Sequence, residues 1–354
     1  MACGSEGSSF ADFKSSEKRK MKERIEYIDA AKAVGIWMVV MGHSSNTIVS
    51  FPRLVSFIYL FHMPLFFLIS GFFFKEPETL LGRPGGDKYL LYYVKPYVVA
   101  SFTTIIPVVI CCWIYNLSFV EETSRLLVAT CWGTGWSGGG QMFSDLPAIG
   151  PIWFLLALFW ASLFYAMICR NAYGLNRLIM VIGVFLFGVI SSKAVTLPWS
   201  LQSGCSAVIY LYMGNVLYKY KDLVSQHIKE LSIVSVVILA LIVIFCVFRG
   251  GIALNASRFG QGLLSVIASI VCCIGLLFVL KRLGLKGGWS GRNTLCLMCG
   301  NQLVDYANYF YHAGSFFPQL SNFAFLNFAL EFVTCLILTY LGGYCFYKSK
   351  LVAH

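Results

Sequence analysis

The chain has 354 residues, of which 58% are hydrophobic and only 12% are charged, and its mean hydropathy is +0.73. Soluble domains carry about 25% charged residues, so this composition excludes a chain of soluble domains and indicates a membrane protein with several spans. The formal net charge of +11 could by itself indicate nucleic-acid binding. The positive charges follow a topological pattern instead, and we expect no nucleic-acid partner.

The amino-terminal segment is polar and contains the basic cluster KSSEKRKMK. It has no apolar core followed by a small-residue cleavage site, so it does not resemble a cleaved signal peptide. We predict a disordered, basic cytoplasmic tail over residues 1–23 and a single membrane domain over residues 24–354.

Ten apolar segments follow the tail, each suited to a hydrocarbon core about 30 Å thick. The predicted spans are residues 27–46, 54–74, 96–117, 151–169, 178–191, 200–217, 231–248, 259–280, 294–313 and 323–347. With the amino terminus inside, nearly all of the 27 Lys and Arg lie in cytoplasmic segments; the exceptions are Lys32 within a span and the external Arg53, Arg125, Lys193, Arg249 and Arg258. This positive-inside pattern places both termini in the cytoplasm. The predicted fold class is an all-α, polytopic transmembrane helix bundle of about ten spans.

The first span carries three ionisable groups along one helix face. Asp29 and Lys32 are one turn apart, and the eleven-residue step from Lys32 to His43 is close to three turns, with about 20° of rotation left over. Lys32 could simply extend its ammonium to the interface. That explanation does not cover His43, which lies ~16 Å further along the same face. Because ionisable residues inside a membrane are costly, the stripe is predicted to be functional.

The second span carries His62 at a depth similar to that of His43. The short external turn between the two spans makes them antiparallel neighbours, so we expect the two imidazoles to approach each other. A lone histidine in a helix is most often a packing residue, but two at matching depth favour a function. Imidazole titrates near neutrality, so it suits removal of a proton from a hydroxyl group and its later return.

Two basic loops, residues 75–95 and 281–292, face the cytoplasm and suit an anionic ligand that arrives from that side. Lys32, on the cytoplasmic part of the stripe, suits the same ligand. The long external segment 118–150 is rich in glycine but has no GK[ST] ending, so it is not a phosphate cradle. It is interpreted either as a lid or substrate rim with Trp132 and Trp136 as stacking surfaces, or as an ordinary loop.

The later spans carry fewer signals. Trp153 is expected at the external interface, where an indole usually anchors a helix. Spans five to eight are chemically quiet and are expected to form most of the lipid-facing frame. Asp305 and His312 in span nine and Glu331 in span ten are secondary candidates, and the sequence leaves open which of them faces a cavity. Most of the 13 cysteines lie in apolar runs and are interpreted as packing residues, and no spacing predicts a metal site.

Four motifs, IDAAKAVGIWMVVMGHSSN, FHMPLFFLISGFFFK, GPIWFLLALFW and GRNTLCLMCGNQL, resemble in order and spacing those of the acyltransferase-3 family of integral membrane O-acyltransferases. The resemblance covers residues 24 to about 303 and is nearest to the short, single-domain, fucose 4-O-acetylase-like type. The first two motifs are the most specific, because the first helix of the family carries a basic residue, ten intervening residues and a histidine.

The resemblance implies transfer of an acetyl group from cytoplasmic acetyl-CoA to a hydroxyl of a cell-surface glycan or its lipid-linked precursor. It implies an enzyme of the bacterial inner membrane that holds no bound cofactor and uses acetyl-CoA as the acyl donor. The catalytic residues expected from it are His43 as base, Lys32 as its basic partner, Asp29 at the acidic position and His62 in the second motif. The expected substrate-binding residues are Asn46, Trp153, Arg292, Asn293 and Asn301.

One residue departs from the family pattern. Many relatives have a histidine where this chain has Asn301, and an amide can bind a substrate but cannot shuttle a proton. The resemblance therefore leaves His43 and His62 as the candidates for proton transfer.

A second hypothesis from the same residues is a transporter or flippase for a glycan, lipid or anion, with the polar stripe as its pathway. No internal repeat stands out in the sequence, which weakens an inverted-repeat transporter. Substrate flux without acetyl-CoA would distinguish this hypothesis from the enzyme.

Overall fold

The computed structural model describes residues 25–44, 51–75, 86–136, 146–249, 251–311 and 324–352. The predicted tail over residues 1–23 lies outside these ranges, as do Asn46 and His312. What the sequence predicts for them stays a prediction.

The described chain is a bundle of helices with one short hairpin. The helices are α1 (Glu26–His43), α2 (Pro52–Phe72), α3 (Gly86–Thr103), α4 (Ile105–Tyr115), α5 (Phe119–Trp132), α6 (Trp153–Asn171), α7 (Gly174–Ser191), α8 (Leu201–Lys219), α9 (Lys221–Gln226), α10 (Ile228–Arg249), α11 (Leu263–Leu283), α12 (Gly288–Arg292), α13 (Thr294–Tyr311) and α14 (Ala324–Ser349). Single 3₁₀ turns cover Pro198–Ser200 and Leu254–Ala256, and two-residue strands β1 (Ile252–Ala253) and β2 (Arg258–Phe259) pair antiparallel.

Each predicted span coincides with one of these helices or, for the third, with α3 and α4 together. Within the described residues, six helical segments are long and apolar enough to cross a bilayer: Pro52–Phe72, Tyr92–Tyr115, Trp153–Asn171, Gly174–Ser191, Leu263–Leu283 and Phe325–Ser349. The helical membrane bundle is therefore confirmed. Helix α1 has 18 residues but carries Glu26, Asp29 and Lys32, so it is more polar than these six.

Two segments differ from their predictions. The external segment 118–150 is not a loop throughout, because α5 occupies Phe119–Trp132 with the Ser118 hydroxyl accepting a hydrogen bond from the Glu121 amide as its N-cap. The stretch from α7 to α11 is less quiet than expected: Gln202 and Ser203 at the start of α8 and Asn255 after α10 line a small polar pocket, and Asn255 also lines the histidine pocket described below.

Helix α8 crosses α2 at unusually close range. A Cβ on Gly71 would lie 2.0 Å from the backbone oxygen of Leu211, and a Cβ on Gly214 would lie 1.9 Å from that of Leu68. Only glycine permits this approach, which is the common way in which membrane helices pack without a hydrophobic driving force. The crossing fixes α2, the helix that carries His62.

Helix α1 packs on α2, α11, α12, α13 and α14. Its buried residues lie on most sides of the helix and include Ile28, Asp29, Ile36, Val39 and Gly42. A helix surrounded in this way does not face lipid over most of its surface. The polar stripe of α1 consequently lies inside the protein.

Candidate active site

The corner between α1 and α2 brings His43 and His62 into one site. His43 is the last residue of α1, and the two imidazole centroids are 6.5 Å apart with their rings edge to face. The ring of Tyr59 is 5.9 Å from that of His43 and 5.1 Å from that of His62. The Tyr59 hydroxyl donates a 3.1 Å hydrogen bond to the Gly42 carbonyl. Helix α2 therefore holds the end of α1 that presents His43.

The tautomer of His62 follows from its backbone partner. Its Nδ1 lies 2.8 Å from the carbonyl oxygen of Ile58, one turn earlier in α2. Since a carbonyl oxygen can only accept a hydrogen bond, Nδ1 carries the hydrogen. In the neutral ring, Nε2 is then the nitrogen with a free lone pair.

His43 contacts a carboxylate from a distant part of the chain. Its Nδ1 lies 3.0 Å from Oδ1 of Asp305 in α13, and the Asp305 side chain is 5% exposed. The contact is a close approach of opposite charges rather than an aligned hydrogen bond; because an ionised carboxylate can only accept, it favours the tautomer with the hydrogen on Nδ1, which leaves Nε2 to take up a second proton. The carboxylate also stabilises the imidazolium that such a step produces. In catalytic triads an Asp beside a His orients the ring and stabilises its charged form, so this arrangement is suited to the same chemistry.

A small pocket surrounds the two histidines. It has a volume of about 50 Å³, and its walls come from α1, α2, α6, α13 and the 252–255 segment. Gln302 of α13 fixes one wall: its Nε2 donates to the Ile149 carbonyl at 2.8 Å, and its Oε1 accepts from the Ile152 amide at 3.3 Å. This volume is enough for a few water molecules and too small for a sugar. The His43 side chain is nevertheless 25% exposed, so the base is not sealed from the surface.

Trp153 forms part of that wall. Its side chain is 5% exposed and lines the pocket together with His43 and His62. The expectation that this indole anchors the helix at the lipid interface is wrong, because helix packing buries it. Its contact with a substrate stays a prediction; the position of Trp153 in the wall of the histidine pocket is compatible with it.

At the other end of α1, Asp29 and Lys32 form an ion pair. Lys32 Nζ lies 3.3 Å from Asp29 Oδ1, with the side chains 26% and 8% exposed. The loop before α13 rests directly on this turn, because a Cβ on Gly287 or on Gly291 would lie 2.1 Å or 1.9 Å from the Asp29 carbonyl oxygen. Two glycines thus let α12 approach the backbone that carries the pair.

Lys32 and Arg292 line a second, larger cavity. Its volume is about 230 Å³, and its other walls include the aromatic residues Phe66, Tyr92, Tyr93 and Phe154. Two cationic side chains in a partly aromatic cavity favour an anionic ligand with a planar or apolar part. The loop 75–95, to which the sequence gave a similar role, is only partly within the described residues.

Met298 separates the two cavities. Its side chain is 3% exposed and lines both the Lys32 cavity and the histidine pocket. Helix α1 contributes Lys32 to one cavity and Val39 and His43 to the other. The two cavities therefore lie in series along α1, with the thioether of Met298 at their junction.

The two remaining predicted residues have hydrogen-bond partners outside the two cavities. The Asn293 side-chain amide donates to the Trp289 carbonyl at 3.0 Å, one turn back in the chain. Asn301 is 2% exposed, and its Oδ1 accepts a 3.2 Å hydrogen bond from the Thr339 hydroxyl of α14. Neither residue lines the two cavities described above.

Sequence reasoning named Asp305 only as a secondary candidate and missed Tyr59, Met298 and the 252–255 segment. The sequence did contain a signal for Tyr59: it lies three residues before His62, and so about one turn away on the same helix face. The others come from distant segments, and no local pattern distinguishes them from ordinary packing residues.

Comparison with known families gives one match. Residues 25–348 match the acyltransferase-3 model, described as an acyltransferase domain, which covers both cavities. No curated protein and no solved structure matches the chain.

Proposed function

The chain belongs to the acyltransferase-3 family and is a multi-pass membrane acyltransferase; from that premise we propose that it transfers an acetyl group from cytoplasmic acetyl-CoA to a hydroxyl of a cell-surface glycan or lipid-linked sugar. The observation that carries this proposal is the His43–Asp305 contact, 3.0 Å between Nδ1 and Oδ1. It provides a base with a free Nε2 in a pocket that adjoins a cationic cavity.

In the proposed step, Nε2 of His43 removes the proton of the acceptor hydroxyl as the oxygen attacks the thioester carbonyl. A C–O bond forms and the C–S bond breaks. The proton on His43 then passes to the departing CoA sulfur, which leaves as the thiol, and the imidazole returns to its neutral form. Asp305 keeps the ring in the required tautomer throughout, and His62 is available through its own Nε2 to bind the acceptor hydroxyl.

The acyl donor is proposed to enter at the Lys32 cavity. Acetyl-CoA has anionic phosphates, a planar base and a slender pantetheine arm, which suit the two cations, the aromatic walls and the narrow junction at Met298, respectively. The distance from Lys32 to His43 along α1 is ~16 Å, a length that a pantetheine arm can span. The phosphates would then remain on the cytoplasmic side while the thioester reaches the histidine pocket.

Lys32→Gln is expected to raise the KM for acetyl-CoA about tenfold to a hundredfold, because a charge-assisted contact is worth roughly 1.5–3 kcal/mol. The measurement is initial-rate kinetics of acetyl transfer with varied donor. Lys348→Gln, an exposed cation on α14, is the matched control and should leave the KM unchanged. An unchanged KM in Lys32→Gln would remove this residue from donor binding.

Met298→Trp is expected to separate donor binding from transfer, because the larger side chain closes the junction between the cavities. Labelled acetyl-CoA should still bind, while transfer falls about a hundredfold, since reacting groups displaced by an ångström or more lose that much rate. Met298→Leu conserves volume and is the control. Equal transfer by the Trp and Leu variants would show that the thioester does not pass this residue.

The topology is also part of the proposal. Ten spans with both termini in the cytoplasm, in a bacterial inner membrane, would place the Lys32 cavity inward and the histidine pocket outward. The supporting observation is the distribution of Lys and Arg along the sequence. Tags at the two termini should resist an external, membrane-impermeant protease in intact cells. Cleavage of the tags would show that the termini lie outside and that the proposed orientation is wrong.

Transport is the alternative, and the family match favours acyl transfer over it. The two are distinguished in proteoliposomes loaded with labelled acetyl-CoA and supplied outside with an extract of cell-envelope glycans and lipids. An acetyltransferase places label on the extract, and Asp305→Asn should slow this labelling about a hundredfold or more. Movement of glycan or lipid across the bilayer at the same rate without acetyl-CoA would support transport instead.

A further inference from the structure

The short hairpin of residues 252–259, formed by β1 and β2, contributes to three separate cavities. Residues 252–255 line the histidine pocket, residues 255–257 line the small polar pocket, and residues 257–259 line an apolar groove. A ligand in the groove therefore contacts the same hairpin that forms a wall of the histidine pocket.

The apolar groove lies between the end of α7 and the start of α11, at the protein surface. Its volume is about 660 Å³, and its apolar walls are Phe185, Leu186, Val189, Phe259 and Leu263. Ligand sites in proteins commonly have volumes of about 300–1,000 Å³. Leu186 is 45% exposed and Leu263 is 69% exposed. Both helices are apolar enough to span a membrane, so the groove opens toward the hydrocarbon of the bilayer.

Two cations belong to the segments where α7 ends and α11 begins. Lys193 follows α7 and Arg258 precedes α11, and both side chains are exposed and line the groove. In the part of the chain that the structure describes, neither side chain is in an ion pair; the Arg258 guanidinium lies over the Trp136 ring at 5.0 Å. Cations at helix ends with apolar walls along the helices match the shape of a phospholipid, which has a charged headgroup above long acyl chains.

A buried serine supplies a further hydrogen-bond donor. Ser257 lines both the groove and the polar pocket, is 1% exposed, and has a hydroxyl with no hydrogen-bond partner among the described residues. Its φ of 52° is in the left-handed region that serine seldom adopts. A residue in a strained conformation with an unsatisfied buried hydroxyl is typical of a binding site. A phosphate bound by the neighbouring Arg258 would give this hydroxyl an acceptor.

The charge of the site distinguishes among the lipids of a bilayer. A zwitterionic headgroup carries a cation of its own, which would approach Lys193 and Arg258 and be repelled by them. An anionic headgroup has no such cation. One lysine or arginine near an anionic lipid is worth about fivefold in affinity, so the two together favour an anionic lipid about 30-fold.

We propose that the groove binds a phospholipid of the surrounding bilayer whose headgroup is anionic, and that the bound lipid holds the 252–259 hairpin in place. An acyl chain lies along α7 and α11, the phosphate lies at Lys193 and Arg258, and Ser257 donates to it. The lipid is a ligand of the fold and not a reactant. The inference is therefore independent of the acyl-transfer reaction and of its acceptor.

The contacts of the hairpin show how a lipid would stabilise it. On one side, Ser203 donates to the Asn255 carbonyl at 3.0 Å, and the Asn255 side chain donates to the Gly135 carbonyl at 2.7 Å. On the groove side, the ring of Phe259 packs on that of Phe185 in α7, with 5.3 Å between the centroids. A lipid in the groove covers both of these rings and adds a second link between the hairpin and α7 through its phosphate.

Binding is tested on the full chain in phosphatidylcholine nanodiscs, without acetyl-CoA. The probe is a phosphatidylglycerol with a diazirine in one acyl chain, at low mole fraction, and the reference is a phosphatidylcholine with the same diazirine. Photolabelling of peptides that cover residues 185–193 and 257–263 should be about 30-fold stronger with the anionic probe. Equal labelling by the two probes overturns the proposal, because the groove would then hold any bilayer lipid.

Substitutions of the two cations test the headgroup site. Lys193→Gln and Arg258→Gln should each weaken labelling by the anionic probe about fivefold, and the double variant should reduce it to the level of the phosphatidylcholine probe. Arg258→Lys keeps the charge and should retain most of the labelling. Arg53→Gln removes another exposed cation, outside the groove, and should change nothing. Lys193 is outside the hairpin, so its variant is informative even if Arg258→Gln fails to fold. Labelling that survives the double variant overturns the proposal.

The effect on the hairpin is tested by hydrogen exchange in nanodiscs with and without phosphatidylglycerol. Amides of residues 252–259 should exchange several-fold more slowly with the anionic lipid, because a ligand that binds only the ordered hairpin lowers the population of open forms. The double variant Lys193→Gln/Arg258→Gln should exchange equally in both. Wild-type exchange that does not respond to phosphatidylglycerol would mean that the lipid does not hold the hairpin, and that part of the proposal would be wrong. Neither experiment measures acyl transfer, so failure of the proposed function would leave both results interpretable.

Discussion

Replacement of His43 by alanine is expected to reduce kcat for acetyl transfer about a hundredfold to ten-thousandfold, the usual contribution of a positioned general base. The reason is that the Asp305 carboxylate, 3.0 Å from Nδ1, favours the tautomer in which Nε2 keeps the free lone pair. The KM for acetyl-CoA should change little, because the Lys32 cavity, where the donor is proposed to bind, lies at the other end of α1. The measurement is steady-state kinetics on purified protein in nanodiscs.

Two controls support the interpretation of that result. His227→Ala removes an exposed histidine between α9 and α10 and should leave the rate at the wild-type value. His43→Gln keeps a polar side chain at the end of α1, so it separates loss of the base from loss of folding. If His43→Gln retains wild-type kcat while folded, His43 is not the base.

Asp305→Asn is expected to reduce kcat about a hundredfold or more while the KM values and the melting temperature stay close to wild type. The substitution keeps the size of the side chain and removes the charge that stabilises the imidazolium, as in serine hydrolases where the equivalent change is severe. Glu331→Gln is the matched control, because Glu331 is another fully buried carboxylate and lines neither cavity.

The two substitutions should not be additive. If Asp305 acts through His43, the double variant His43→Ala/Asp305→Asn will be no slower than His43→Ala alone, as for groups that work as a unit. If the rate reduction in the double variant equals the product of the two single reductions, Asp305 acts independently of the imidazole, and the proposed pair is wrong.

Much of the fold and half of the site were predictable because membrane sequences carry strong local signals. Long apolar runs must be helical in a bilayer, so each predicted span coincides with a helix. The stripe of Asp29, Lys32 and His43 needed only the geometry of one helix, and the approach of His62 needed only one short turn. The family resemblance rested on the same local motifs.

The rest of the site depends on contacts between distant segments. Asp305 is 262 positions from its partner His43, and the pattern around it is no different from that around Glu331. The burial of Trp153 was predicted wrongly because an indole at a helix start usually faces the interface, and here the backbone at Gly135 packs against the indole instead. The hairpin of residues 252–259 lies between two apolar spans, and its role becomes visible only when its three cavities are seen together.

The central claim is that His43, assisted by Asp305, transfers an acetyl group from acetyl-CoA to a hydroxyl. The most direct measurement is to mix purified protein in nanodiscs with labelled acetyl-CoA and an extract of cell-envelope lipids and glycans, and to follow labelled ester and free CoA thiol together. We expect equal amounts of ester and thiol with the wild-type chain, and formation of both at least about a hundredfold slower with His43→Ala. Ester formation by His43→Ala at the wild-type rate would contradict the claim, as would thiol release by the wild type without any ester.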